Sequence, residues 1–131
     1  PGFKDLIARL SEKFITGLVT ASPLASLNFI RKKINLDNYF QYIISGEETE
    51  KNKPNPHPYL EMMRRIGVDS KNTVIIEDSI LGLRAALGSS AHVIAITGSV
   101  PREKLKIAHK IVEHHDEITL KSLENLLLDP I

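Results

Sequence analysis

The sequence contains no cysteine and no tryptophan among its 131 residues. The absence of cysteine excludes disulfides and thiolate zinc sites, and it fits a protein of the reducing cytoplasm. Neither sign of charge is in excess, with 17 lysines and arginines against 16 aspartates and glutamates. We therefore expect neither a nucleic-acid nor a membrane partner. No apolar run approaches the roughly 20 residues of a membrane-spanning helix.

The composition is that of an ordinary globular domain, with 42% apolar and 25% charged residues. A chain of this length fits one domain with a sizeable core. Short apolar runs alternate with segments whose apolar residues recur at helical spacing. This alternation predicts an α/β fold, with helices on both faces of a mainly parallel sheet.

The predicted strands are short apolar runs at residues 15–20, 40–44, 73–76, 92–97 and 110–112. The predicted helices cover residues 3–10, 59–66, 80–87, 101–107 and 120–127. A further helix begins near Pro23, and its periodicity turns Leu27, Ile30 and Ile34 inward. We expect the first strand to be buried.

The most informative segment is the apolar run 73–76, which ends in the adjacent carboxylates of Glu77 and Asp78. Ligands of open α/β sheets bind beyond the carboxyl ends of the strands, where these two side chains would lie. Adjacent carboxylates resist burial without a partner, and Mg²⁺ is a natural partner because it prefers oxygen ligands. Ser79 follows as an obvious helix N-cap.

Two other polar segments could converge on the same edge of the sheet. Thr20, Ala21 and Ser22 end the first strand, and their hydroxyl and backbone N–H groups can hold an anion. Lys53 lies in a proline-rich loop, which would carry its ammonium on a stiff backbone. Donors, a cation and metal-bound carboxylates are what a phosphoryl group needs. Singly, these groups have plainer interpretations as helix caps, a solvated lysine or acids that complement a helix dipole.

In these motifs the sequence resembles the haloacid dehalogenase-like superfamily of Mg²⁺-dependent phosphohydrolases. Within it, the sequence is most similar to the branch of β-phosphoglucomutase and phosphoglycolate phosphatase. Thr20 matches the phosphate-binding Ser or Thr of the second family motif, and Lys53 before Pro54 matches the lysine of the third. Glu77 and Asp78 match the magnesium-binding acids of the fourth.

The resemblance implies a three-layer Rossmann-like fold and a phosphatase or phosphomutase that acts on small phosphorylated metabolites with Mg²⁺. It assigns catalytic roles to Lys53 and Thr20. It assigns phosphate binding to the same two residues together with Ala21 and Ser22. It assigns metal binding to the carboxylates at the end of the third strand.

One family motif does not occur in the sequence. The family's nucleophile is the first aspartate of an Asp-x-Asp motif on the central strand, and this chain contains no Asp-x-Asp. The resemblance implies that residues 1–131 form a single, partial core domain without a cap, whose missing strand and cap would lie upstream of Pro1. We expect such a chain to be inactive alone.

A missing central strand also affects the sheet. The strands that end at Thr20 and Asp78 must then pair directly, accept a strand from another chain or leave unpaired edges, which favour association. We therefore expect rearranged pairing or self-association of the chain.

Two alternative functions remain open. The chain could be a non-catalytic domain of this type that serves as a binding or interaction module. It could also be one half of a split enzyme, whose other chain supplies the central strand and the cap. Residues 114–117 contain two histidines and two acids, but consecutive residues point to different faces, and a solvated turn is expected there.

Overall fold

The computed structural model describes residues 3–46, 48–49, 51–98 and 100–128. Helices and strands largely alternate along these residues, as the sequence predicted. The helices are α1 (Phe3–Leu10), α2 (Leu24–Ile34), α3 (His57–Ile66), α4 (Ile80–Gly88) and α5 (Leu120–Leu128). The strands are β1 (Gly17–Val19), β2 (Tyr42–Ile44), β3 (Val74–Glu77), β4 (His92–Ile96) and β5 (Lys110–Val112). The helix predicted at residues 101–107 is a 3₁₀ helix over Arg102–Leu105.

The strand pairs are parallel throughout the described residues. β1 pairs with β2, and Val19 lies opposite Ile44. β4 lies between β3 and β5, and Glu77 lies opposite Ala95. In each sheet the carboxyl ends of the strands therefore meet at one edge, as the sequence predicted.

The side chains of β4 alternate between two cores. Val93 and Ala95 pack on one side of the sheet with residues of α3 and α4, including Leu83. Ile94 packs on the other side with residues of α1 and α5, including Leu6. Helices thus cover both faces of the sheet, which confirms the predicted three-layer α/β fold.

A gap separates β1 from β3, the two strands between which the sequence analysis expected a strand to be missing. The five strands form two sheets, and no ladder joins β1 to β3 in the part of the chain that the structure describes. The backbone N–H of Thr20 donates to the carbonyl of Ile44, so the backbone groups of Val19 point away from β2. Direct pairing of β1 with β3 is therefore not found among the described residues.

Two predictions of burial were wrong. The segment that leads into β1 was expected to be buried, but Ile15 is 53% exposed and Gly17 is also exposed. On α2, Leu27 is buried, whereas Ile30 and Ile34 are 39% and 38% exposed. A sheet of two strands offers a narrow surface, which covers only part of α2.

Local signals for a helix end, a helix start and a turn were correct. Gly67 ends α3 in the left-handed conformation with φ of +84°, and the Ser79 hydroxyl accepts a hydrogen bond from the N–H of Gly82 at the start of α4. Residues 114–117 form a turn in which the Glu117 carboxylate accepts two backbone hydrogen bonds. None of the described helices is long and apolar enough to cross a membrane.

Candidate functional site

A groove of about 840 Å³ occupies the gap between the two sheets. Its walls are mainly apolar and come from α1 and α3 and from the facing strands β1 and β3. Its polar lining includes Lys53, Tyr59, Glu77, Asp78 and Thr97. Because Glu77 ends β3 and Thr97 follows β4, these polar groups lie at the carboxyl edge of the sheets.

Lys53 bridges the two sheets at this end of the groove. Its Nζ atom lies 2.6 Å from Oε1 of Glu77 and 3.3 Å from the carbonyl oxygen of Val19. The lysine side chain is only 15% exposed. An ammonium has three N–H donors, and these two acceptors use two of them. The third N–H can therefore serve a ligand in the groove.

Glu77 is held by contacts on both carboxylate oxygens. Oε1 accepts a hydrogen bond from the Tyr59 hydroxyl in addition to that from Lys53. The other oxygen lies against α4, where a Cβ atom on Gly82 would overlap the carboxylate. Gly82 is thus needed for the close approach of the helix. The carboxylate is 8% exposed, and burial of its charge is tolerated because it is paired and hydrogen-bonded.

Tyr59 is a part of the site that the sequence analysis placed only within the predicted helix 59–66. Burial raises the pKa of Tyr59 far above its ordinary value, and the charge and hydrogen bond of Glu77 raise it further. The hydroxyl therefore stays protonated and donates at every physiological pH. The Tyr59 ring also lies 5.2 Å from the Lys53 ammonium, within the range of a cation–π contact.

The sequence does contain a signal that links Tyr59 to the site. It lies in the first turn of α3, directly after the proline-rich loop that carries Lys53. A tyrosine on the buried face of a helix needs a partner for its hydroxyl, and the nearest predicted polar cluster held the lysine and the two acids. That requirement could have linked Tyr59 to the site.

Asp78 differs from Glu77 because its side chain is exposed while it lines the groove. Among the described residues, no three histidine, cysteine or acidic side chains cluster closely enough to hold a metal ion. A single exposed carboxylate fits Mg²⁺ as one ligand, since this ion keeps several waters in its shell. Glu77 has less capacity for a metal because two donors already occupy Oε1.

The segment from Thr20 to Ser22 lies beside the groove and does not line it. The hydroxyl oxygen of Thr20 accepts a hydrogen bond from the N–H of Ser22 at 3.1 Å, and the carbonyl of Ser22 accepts one from Gly46 at 3.0 Å. The N-cap of α2 is Pro23, and no described side chain forms a capping hydrogen bond with this helix. The plainer interpretation of Thr20 and Ser22 as side-chain caps is therefore wrong.

The structure brings three of the predicted site residues together. Lys53, Glu77 and Asp78 all line the carboxyl end of the groove. Thr20 adjoins them through the preceding residue, Val19, whose carbonyl binds Lys53. Ala21 is exposed at the surface of the loop that follows. Their predicted roles in phosphate and metal binding stay predictions.

Comparisons with known proteins bear on the family. The family model described as haloacid dehalogenase-like hydrolase matches residues 1–96. Hexitol phosphatase B of Escherichia coli O157:H7 is 28% identical over 126 residues, which are 94% of this chain and 57% of that protein. The chain spans about half the length of the curated relatives it matches.

Two solved structures resemble the fold closely. A HAD hydrolase of family IA, variant 3, from Entamoeba histolytica has a TM-score of 0.89 at 25% identity, covering 98% of this chain and 60% of that one. CbbY from Rhodobacter sphaeroides, solved in complex with phosphate, has a TM-score of 0.84 at 27% identity, covering 95% of this chain and 58% of that one. With the family model matching most of its length, the chain belongs to the haloacid dehalogenase-like hydrolase family.

Proposed function

We propose that the chain supplies the phosphate-binding groups, and part of the metal-binding groups, of a Mg²⁺-dependent phosphatase or phosphomutase. The proposal rests mainly on the position of Lys53. Its ammonium lies at the carboxyl ends of β1 and β3, and one of its three N–H groups remains available for a ligand. In this proposal residues 1–131 form one core domain. The hexitol phosphatase relative supports a small phosphorylated sugar or sugar alcohol as the substrate.

Phosphate would be held by Lys53 and the loop that follows β1. The third N–H of the Lys53 ammonium donates to a phosphoryl oxygen, and its charge offsets the negative charge that develops there. The oxygen of Thr20 already accepts a hydrogen bond, which leaves the hydroxyl hydrogen to donate to a second oxygen. The backbone N–H of Ala21 and the hydroxyl of Ser22 complete the cradle.

Magnesium, when bound, would neutralise charge on the phosphoryl oxygens. Asp78 is its ligand in this proposal, because the Asp78 carboxylate is exposed and lines the groove beside Lys53. Glu77 stays a candidate ligand only through Oε2, since Lys53 and Tyr59 hold Oε1. The main task of Glu77 is then to fix the ammonium of Lys53.

The nucleophile would come from a strand that fills the groove. The sequence has no Asp-x-Asp motif to supply it. As far as the described residues show, the groove has an unpaired strand edge on each side. Its walls are mainly apolar, and a lysine lies at its carboxyl end. These features favour a parallel apolar strand that ends in a carboxylate beside Lys53. The strand would belong to another part of the enzyme or to a second chain.

Hydrolysis of a generic aryl phosphate tests this function. The purified chain is assayed with Mg²⁺, alone and with a synthetic peptide of about five apolar residues followed by Asp-x-Asp. We expect turnover only with the peptide, and its loss with chelator, with an Asn-x-Asn peptide and in Lys53→Ala. Turnover that Lys53→Ala leaves intact would contradict the proposal. Magnesium-dependent turnover by the chain alone would show that the nucleophile lies within it.

A second candidate function is that of a strand-accepting interaction module. The two unpaired edges favour it, because exposed edges pair readily with strands of other chains. In the absence of another partner, a second copy of the chain would cover the groove. Sedimentation equilibrium should then show a monomer–dimer equilibrium that the apolar peptide shifts toward monomer. A monomer at every concentration, without peptide binding, would contradict this function.

A further inference from the structure

Tyr59 contacts both members of the buried ion pair that anchors the proposed phosphate site. Its hydroxyl donates to Oε1 of Glu77, and its ring lies 5.2 Å from Nζ of Lys53. We propose that Tyr59 is a positioning residue, which fixes Glu77 so that Lys53 directs its third N–H into the groove. The inference rests on the proposed function for the identity of the ligand that Lys53 meets.

The carboxylate of Glu77 is held on both sides. One oxygen receives two donors, from Tyr59 and Lys53, and the other is pressed against the backbone of α4 at Gly82. The carboxylate therefore cannot rotate or exchange its oxygens without breaking a buried hydrogen bond. The side chain of Lys53 is flexible, but a fixed acceptor 2.6 Å from its Nζ atom holds the ammonium in one preferred position.

The protonation state of Tyr59 suits this role. A tyrosine hydroxyl has an ordinary pKa of about 10 and is therefore a neutral donor at physiological pH. A neutral donor stabilises the carboxylate without competing with it for the ammonium. It also adds no negative charge beside a phosphate, which an acidic residue at this position would do.

The substitution Tyr59→Phe tests the positioning of Lys53 separately from the packing of the core. It keeps the aromatic ring, which contacts Lys53 and packs in the core, where Tyr59 is only 7% exposed. It removes only the O–H group. Glu77 then keeps Lys53 as its donor on Oε1 but loses the second bond that fixed its orientation. Loss of one hydrogen bond to a charged group should weaken binding of inorganic phosphate by about tenfold.

The test uses NMR of the full chain labelled with ¹³C-lysine, with the Lys53 signal assigned by its loss in Lys53→Met. The two Hε protons of a lysine held in one orientation have different shifts, whereas a freely rotating side chain gives one averaged signal. We expect two Hε signals in the wild-type chain and one in Tyr59→Phe, together with the tenfold weaker binding of inorganic phosphate. A purely structural role of Tyr59 would leave the Hε signals unchanged.

Tyr42→Phe is the matched control, because it makes the same chemical change on β2, where no hydrogen bond of the Tyr42 hydroxyl is found among the described residues. It should keep both Hε signals and the phosphate affinity. The wild-type chain offers a readout that does not depend on the folding of a variant. The buried hydroxyl proton of Tyr59 should give a resolved downfield signal.

Two results would overturn the inference: unchanged Hε signals in Tyr59→Phe, or the absence of the hydroxyl proton signal in the wild-type chain. If the proposed function is wrong, the experiment gives a different result. In that case no protein in the series binds phosphate, while the Hε comparison still decides whether Tyr59 positions Lys53.

Discussion

Nζ of Lys53 lies 2.6 Å from Oε1 of Glu77, and this ion pair connects the two sheets at the carboxyl end of the groove. Lys53 comes from the loop before α3, and Glu77 is the last residue of β3. Exposed ion pairs contribute little to stability, but removing one partner of a buried pair leaves an uncompensated charge. The pair therefore matters both for the stability of the fold and for the site.

Replacement of Lys53 by alanine should destabilise the chain. The carboxylate of Glu77 would stay buried with only Tyr59 as its donor, at a cost of about 3 kcal/mol. Urea unfolding of wild type and Lys53→Ala measures this difference. Lys51→Ala is the control, since Lys51 is exposed in the same loop and its loss should change stability by less than about 0.5 kcal/mol. Equal stability of the two variants would contradict the role of the pair.

Gly82→Ala should also destabilise the chain, although alanine is the better helix former by about 1 kcal/mol. The added Cβ would overlap the carboxylate of Glu77, which two hydrogen bonds hold in place. We expect a net loss of about 1–3 kcal/mol in the free energy of unfolding. Gly98→Ala is the control, because a Cβ at that position meets no atom within 4 Å. A more stable Gly82→Ala chain would show that Glu77 moves freely.

Stability should fall at high pH because of Tyr59. Its pKa is raised in the folded chain, so this contribution is fully present below the ordinary tyrosine value of about 10. Above that pH the unfolded chain releases a proton that the folded chain keeps. The free energy of unfolding then falls by up to about 1.4 kcal/mol per pH unit. Urea unfolding from pH 9 to 11 should show a shallower fall in Tyr59→Phe, and an identical fall would contradict the assignment.

The unpaired edge of β3 predicts a specific pattern of hydrogen exchange. The N–H of His92 donates to the carbonyl of Thr73, so by alternation the backbone groups of Ile76 face the groove. Ile94 lies in β4, which is paired on both sides. We expect the Ile76 amide to exchange about 100-fold faster than that of Ile94, or faster still. Equal protection would mean that a strand already covers this edge in solution.

The helices and strands could be predicted because their signals are local. Apolar spacing gave the elements, Gly67 marked the end of α3 and Ser79 marked the start of α4. The parallel order followed from the alternation of helices and strands. Lys53 and Glu77 were predicted to converge because the carboxyl ends of parallel strands share one edge.

The remaining features depend on contacts between distant segments. Tyr59 and Glu77 are 18 residues apart, and nothing in the local pattern shows that one donates to the other. The exposure of Ile30 follows from the width of the sheet beneath α2, which the periodicity of the helix does not report. The gap between β1 and β3 is a property of how the strands pair, which the local pattern of each strand does not report.

Titration of the purified chain with inorganic phosphate tests the central claim most directly, which is that Lys53 anchors a phosphate site at the end of the groove. We expect saturable shifts of the Lys53 signal in the wild-type chain and in Lys51→Ala, and no saturable binding in Lys53→Ala. Binding that is equal in Lys53→Ala, or absent from the wild-type chain, would contradict the claim.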